Sequence, residues 1–230
     1  MNRWRTLASL LLSALAAACT GSLFQSKTAP PTIYLLGAAG ARASAAPAAS
    51  PAAAIPADLA VLKPRMRPGL ETDRIAVLYP DRHLDYFAAA RWNGALGEVL
   101  QDVAVQAFHT RAALRTVSGD ASVFASAYWL EIEVTDFQAE YTAAASAPTV
   151  RVHFMARLGS SGDRHILGQF EADSREPAAE NRLTAIVDAY ARATDAAMGE
   201  IVADVGATLA KTAGPDNPQK PDSPVASANR

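Results

Sequence analysis

The stretch Ala127-Tyr128-Trp129-Leu130-Glu131-Ile132-Glu133-Val134-Thr135-Asp136-Phe137 alternates apolar and polar residues. Tyr128, Leu130, Ile132 and Val134 fall on one side, and Trp129, Glu131, Glu133 and Thr135 on the other. A period of two puts neighbouring side chains on opposite faces of a strand, so this segment has one face in a core and one in water. Thr149 to Leu158 repeats the pattern: Val150, Val152, Phe154, Ala156 and Leu158 stand against Arg151, His153, Met155 and Arg157. The segment Gly159-Ser160-Ser161-Gly162 reads as a turn into a third such strand, His165 to Ala172. Together these predict an antiparallel meander. Glutamates on one wet face and arginines on the next predict charge pairs across the strands.

Working upstream, Thr32 to Leu36 reads as a short first strand, Leu59 to Leu62 as a second and Arg74 to Leu78 as a third. Pro80-Asp81 turns the third into a fourth, His83 to Phe87, as a hairpin. Between them, Pro64 and Pro68 forbid helix, and Pro68-Gly69 marks a turn. Asn93 or Gly94 is expected to cap a helix whose stripe is Leu96, Val99, Leu100, Val103 and Ala107. Ala113 to Val117 reads as another strand. Downstream, a long helix from about Asn181 to Lys211 carries the stripe Leu183, Ile186, Val187, Tyr190, Ala193, Ala197, Ile201, Val205 and Leu209. The fold class expected is α/β: a two-layer sandwich with a mixed, mostly antiparallel sheet and two helices packed on one face.

The flanks are of another kind. Met1 to Arg5 holds two arginines and no acid, and Leu7 to Ala18 is apolar apart from Ser9 and Ser13. Such a run is too short in helical form for a ~30 Å hydrocarbon core and reads as a secretory signal. It ends in Leu15-Ala16-Ala17-Ala18-Cys19, which resembles a bacterial lipobox, with Cys19 as the lipidated residue. Thr20 rather than aspartate follows, which in lipoprotein sorting favours the inner leaflet of the outer membrane, facing the periplasm. Residues 1–18 are thus read as a lipoprotein signal peptide, 19–31 as a lipidated tether and 32–212 as a single domain. Within it, 38–56 is an Ala/Pro-rich loop, and 213–230 is a disordered tail.

Composition excludes several functions. The chain has 230 residues and a formal net charge of −2, which becomes −4 once Arg3 and Arg5 leave with the signal. That is no electrostatic footprint for nucleic acid. A single cysteine allows neither an intrachain disulfide nor a cysteine-rich zinc or iron–sulfur site. His83, His109, His153 and His165 form no local ligand motif, although His153 and His165 could approach across the Gly159 turn. The Gly159-Ser160-Ser161-Gly162 segment is one residue short of a nucleophile elbow. Gly37-Ala38-Ala39-Gly40 lacks the helix and lysine of a phosphate loop. Glu131 and Glu133 read as part of a solvated ladder rather than a catalytic pair. No enzyme is expected, and no cofactor or metal.

The segment from Arg65 to Trp92 sets arginines among aromatics, the residue types that dominate binding hot spots. It yields a candidate partner interface: Arg65, Arg67, Leu70, Asp73, Arg74, Tyr86, Arg91 and Trp92. The competing reading puts Trp92 and Phe87 in the core and pairs Asp73 and Asp85 with the arginines. Here the chain also becomes recognisable. RPGLETDRIAVL (67–78) and LDYFAAARWNGALGEVLQDVAVQAF (84–108), after the lipobox and the early YLL at 34–36, resemble the ABC-type transport auxiliary lipoproteins, the PqiC-like family. The resemblance spans Thr32 to Leu209. It implies a two-layer α/β fold without catalysis of its own. It also implies service with a permease, an ATPase and an MCE-domain protein in moving lipids across the cell envelope. Self-association into a homo-oligomer is left open. The alternative is an envelope assembly or scaffolding lipoprotein for an outer-membrane protein or the cell wall; an α/β sandwich fits both.

Overall fold

A computed structural model describes residues 30–37, 55–119 and 126–212. Elements in chain order are β1 Thr32–Tyr34, β2 Ile55–Val61, β3 Arg65–Met66, β4 Arg74–Leu78, β5 Leu84–Trp92, α1 Leu96–Arg111, β6 Leu114–Ser118, β7 Tyr128–Glu140, β8 Thr149–Ser160, β9 Ile166–Pro177 and α2 Leu183–Thr212. The signal peptide, Cys19, most of the tether, most of the Ala/Pro-rich loop and the tail lie outside the described residues. That loop was read as running to Pro56, but β2 already begins at Ile55, whose N–H donates to the Ala113 carbonyl at 2.7 Å.

The strands form one mixed sheet, as the sequence led us to expect. β7 is its seam. One edge of β7 bonds β8 antiparallel along almost its whole length, and β8 bonds β9 in the same way. The other edge is tiled by three short parallel partners: Leu59–Val61 of β2 beside Tyr128–Leu130, Arg65–Met66 beside Glu133–Val134, and Val77–Leu78 beside Ala139–Glu140. β6 extends the sheet beyond β2, while β5 and then β1 extend it beyond β4.

Both helices cover one face. The stripe Val150, Val152, Phe154, Ala156 and Leu158 is buried there, together with Leu130, Ile132 and Val134 of β7. From α2, Ile186, Val187, Tyr190, Ala193, Ala197, Ile201, Val205 and Leu209 are buried, and Leu183 is half-buried, so the long stripe forms as read. Trp92, Phe137 and Tyr190 pack as a trio, with ring centroids 5.1–6.1 Å apart. Tyr190 Oη donates to the Ala76 carbonyl at 2.6 Å, and burial raises its pKa, so the hydroxyl stays a donor.

Three expectations are corrected. Helix α1 starts at Leu96, with Ala95 at the cap and no capping side chain. Its first N–H finds backbone instead: Leu96 N donates to the Thr72 carbonyl at 3.0 Å. Gly159 belongs to β8 rather than to a turn. The Trp129 indole lies against it, and a β-carbon at 159 would come within 2.2 Å of Trp129 Cζ2. The reversal is made by residues 161–165, closed by Ser160 N donating to His165 O at 2.9 Å. His153 sits opposite Asp173 in mid-strand, while His165 precedes β9 at the turn, so the two histidines do not meet.

Candidate functional site

The Arg65–Trp92 segment runs from the seam to the β1 end of the sheet, and short-range chemistry fixes its path. Leu70 N donates to the Arg67 carbonyl at 3.0 Å, with Pro68 and Gly69 between them and Gly69 at φ +92°. Proline followed by a left-handed residue is a type II turn, and glycine takes that second position without strain. Tyr86 Oη donates to the Gly69 carbonyl at 2.7 Å, and the Arg74 guanidinium lies 4.1 Å over the Tyr86 ring. Arg91 Nη1 donates to both carboxylate oxygens of Asp73, at 2.8 and 2.7 Å, which holds Asp73 below the usual carboxylate range. The Asp73 carbonyl accepts from Trp92 N at 2.7 Å. Asp73, Arg74, Tyr86 and Arg91 therefore form one corner.

Arg65 and Arg67 stand apart from that corner, on the face of the sheet that no helix covers. Arg65 Nη1 donates to Glu131 Oε1 at 3.2 Å, and Arg157 reaches the other oxygen of Glu131 at 3.3 Å. This is the expected cross-strand pairing, with an extra arginine from β3. Arg67 Nη1 is 3.9 Å from Asp136. The side chains of Arg65 and Arg67 remain 68% and 66% exposed, so most of each is available to a partner. Leu70 and Trp92 are not surface residues. At 3% and 1% exposure they belong to the core, where Trp92 joins the aromatic trio. Phe87 is half-buried against the same core. The competing reading thus holds for Trp92, Phe87 and Asp73, whereas Asp85 turns back on the backbone of Tyr86.

A second polar cluster sits on the same open face and was not seen in the sequence. Arg151 donates to Asp173 through Nε at 3.1 Å and Nη2 at 2.9 Å, and lies 3.7 Å from Asp136. His153 Nδ1 is 2.7 Å from Thr135 Oγ1, and its Nε2 is 2.9 Å from Glu171. The Gln138 amide spans Asp136 and Glu140, at 3.0 Å to each. Arg151 holds Asp173 below its ordinary range. The hidden signal was a bulge in β7 between Val134 and Asp136. Strict alternation from Val134 assigns Asp136 to the core face, and the extra residue turns it outward. The members of this cluster are engaged with one another. Among the described residues, no group of three or more His, Cys, Asp or Glu could hold a metal ion. Of the ion-paired arginines on this face, Arg65 and Arg67 at the seam are the most exposed.

A family model for the ABC-type transport auxiliary lipoprotein component matches residues 34–202, which is most of the chain and nearly all of the described body. The chain belongs to the ABC-type transport auxiliary lipoprotein family. Among solved structures, this auxiliary lipoprotein is similar to protein XCC0632 from Xanthomonas campestris, assigned to the family DUF330, at 23% identity and a TM-score of 0.63. The match covers 79% of this chain and 95% of that one. A second solved protein, uncharacterized, matches at 12% identity and a TM-score of 0.58 over 77% and 99% of the two chains. At these identities the likeness establishes the fold. No curated protein matches the chain. The resemblance expected over Thr32 to Leu209 therefore holds over residues 34–202.

Proposed function

We propose that this auxiliary lipoprotein is a non-catalytic accessory subunit of an MCE-type ABC system that moves lipids across the cell envelope. Cys19 is its lipidated N-terminus after removal of residues 1–18, and the anchor lies in the inner leaflet of the outer membrane with the body facing the periplasm. The observation that carries this reading is the family match across residues 34–202, whose members are transport auxiliary components, together with a lipobox that ends on the chain's single cysteine. Among the described residues no helix is long and apolar enough to cross a membrane, so the lipid is the attachment this reading requires. Each buried methylene adds about 0.8 kcal/mol, which makes several acyl chains a firm anchor.

Docking falls to Arg65 and Arg67 at the seam; at the corner Arg74 and Arg91 are exposed, while Asp73 and Tyr86 are half-buried against them. Arginines held by a carboxylate on one side and open on the other are rigid donors for an acidic partner surface. The test is affinity purification of the lipidated protein from detergent-solubilised envelopes. An MCE-domain protein, a permease and an ATPase should be recovered with it, and Cys19→Ala should move the protein to the soluble fraction. Recovery of an outer-membrane barrel or cell-wall protein in their place would replace the transport reading with the scaffolding one.

A further inference from the structure

The large exposed apolar side chains of the described body are few, and the two most exposed are neighbours: Ile33 at 55% and Leu35 at 60%. Both lie at β1, the edge strand, which pairs with β5 on one side and with no other described strand. Alternation sends Tyr34 and Leu36 toward the core, and so sends Ile33 and Leu35 outward. The register sets Ile33 beside Arg91, and Arg91 beside Arg74. Arg74 forms no ion pair with a described carboxylate and lies over Tyr86. The corner thus offers apolar tips, arginines and a tyrosine with its ring covered. These residue types suit a boundary between headgroups and acyl chains: arginine keeps its charge in the polar layer while aliphatic tips enter the apolar one.

We infer that the β1 corner, with Ile33 and Leu35 leading, is the surface by which the body rests on the phospholipid bilayer. The inference rests on the lipid-anchored reading above. Position along the chain selects the bilayer over a protein strand. Residues 20–31 separate Cys19 from Thr32, and even fully extended they span at most ~45 Å. The β1 edge is therefore the part of the body tied most closely to the membrane. A strand added by a partner would find only the short edge Thr32–Tyr34 to pair with, and a short edge gives little support to added strands. Two apolar side chains bind a bilayer weakly by themselves. Beside a covalent anchor the contact becomes intramolecular, and a small gain suffices to orient the body.

The lipidated Cys19 leaves no competing thiol, so single cysteines can be placed at Ile33, Leu35, Met155 and Ile166, all exposed apolar positions. Each full-length lipidated variant is labelled with an environment-sensitive NBD probe. It is then reconstituted into phosphatidylethanolamine–phosphatidylglycerol vesicles with plain or brominated acyl chains. An apolar group at the interface lies about 5–10 Å into the headgroup–acyl boundary, so labels at 33 and 35 should shift to the blue and lose roughly half or more of their emission to bromine. Labels at 155 and 166 should be unaffected. Flotation with the vesicles without quenching at 33 and 35 overturns the inference and leaves the anchor standing. Failure to float overturns both. Labels that respond only when an MCE-domain protein is added assign the edge to that partner instead. Two separate reporter positions, each checked by a thermal melt, guard against one variant failing to fold.

Discussion

The two edges of β7 are built from opposite materials. Along one edge runs a single long ladder to β8, shifted only at the bulge between Val134 and Asp136 and continued by β9. Along the other edge three short strands, separated in sequence by prolines and turns, are laid end to end. On the meander side these carboxylates have arginines of the meander's own: Glu131 has Arg157, and Asp173 and Asp136 have Arg151. The tiled edge leaves Arg65 and Arg67 about two-thirds exposed. The difference teaches where this fold carries stability and where it leaves room for recognition. A continuous ladder has little spare bonding capacity. Short strands require loops between them, and loops present side chains on a rigid scaffold.

The comparison breaks most visibly at Trp92. Trp92→Ala should cost ~3–5 kcal/mol, because the indole packs fully buried between Phe137 and Tyr190, whereas Met155→Ala on the open meander face should stay within about 0.5 kcal/mol. Urea titration of the two variants measures both. A mild Trp92 variant would return that residue to the list of surface candidates. Acid should act on both edges together. Arg91 lowers Asp73, Arg151 lowers Asp173 and Arg115 lowers Asp58, so each stabilises the fold above the ordinary carboxylate pKa of about 4. Their contribution is lost as pH falls through the depressed values, so thermal melts should be flat above about pH 5 and fall steeply below about pH 4. A fall that begins near pH 6 would show that these carboxylates do not set the acid limit.

The smallest expected effect is a gain. Between Arg74 and Ala76 the β5 strand carries extra residues from Phe87 to Ala90, and Ala89 there has φ +52°. A left-handed non-glycine residue costs roughly 1–2 kcal/mol, of which the freer unfolded state of glycine returns about 0.5–1, so Ala89→Gly should stabilise by ~0.5 kcal/mol. Differential scanning calorimetry should show a small upward shift in Tm. A downward shift would mean that the Ala89 methyl, rather than the backbone, sets the bulge.

The contrast between the edges also explains what could be read before the fold was known. The meander was legible because its pairing is local and its period is two: the five inward positions of β8 and the stripe of α2 are where alternation and helical spacing put them. The family-bearing stretch was legible as a motif, but not as geometry. Nothing in Arg65-Met66 marks a strand, because two residues carry no period; they pair only because β7 passes beside them. Trp92 and Leu70 looked like anchors by residue type, yet tertiary packing buries them. The polar cluster around Asp136 and His153 was hidden by one extra residue in β7, Thr135, which reverses the alternation from Asp136 onward. The α1 cap was misplaced because the Thr72 carbonyl, remote in sequence, takes the Leu96 N–H that a capping Asn93 would accept from.

The claim that recognition lies on the tiled edge is tested most directly by paired charge reversals. Arg67→Glu and Arg157→Glu alter the same open face, one on the tiled edge and one in the meander ladder. Capture of the MCE-domain partner by each is measured beside a thermal melt. Losing an interface arginine commonly costs more than about 1.4 kcal/mol, which is tenfold in affinity. The expected result is that Arg67→Glu weakens capture at least about tenfold with an unchanged melt, while Arg157→Glu captures normally and melts lower through loss of its pair with Glu131. Undiminished capture by Arg67→Glu, or loss of capture only in Arg157→Glu, would contradict the assignment and move the docking surface onto the meander.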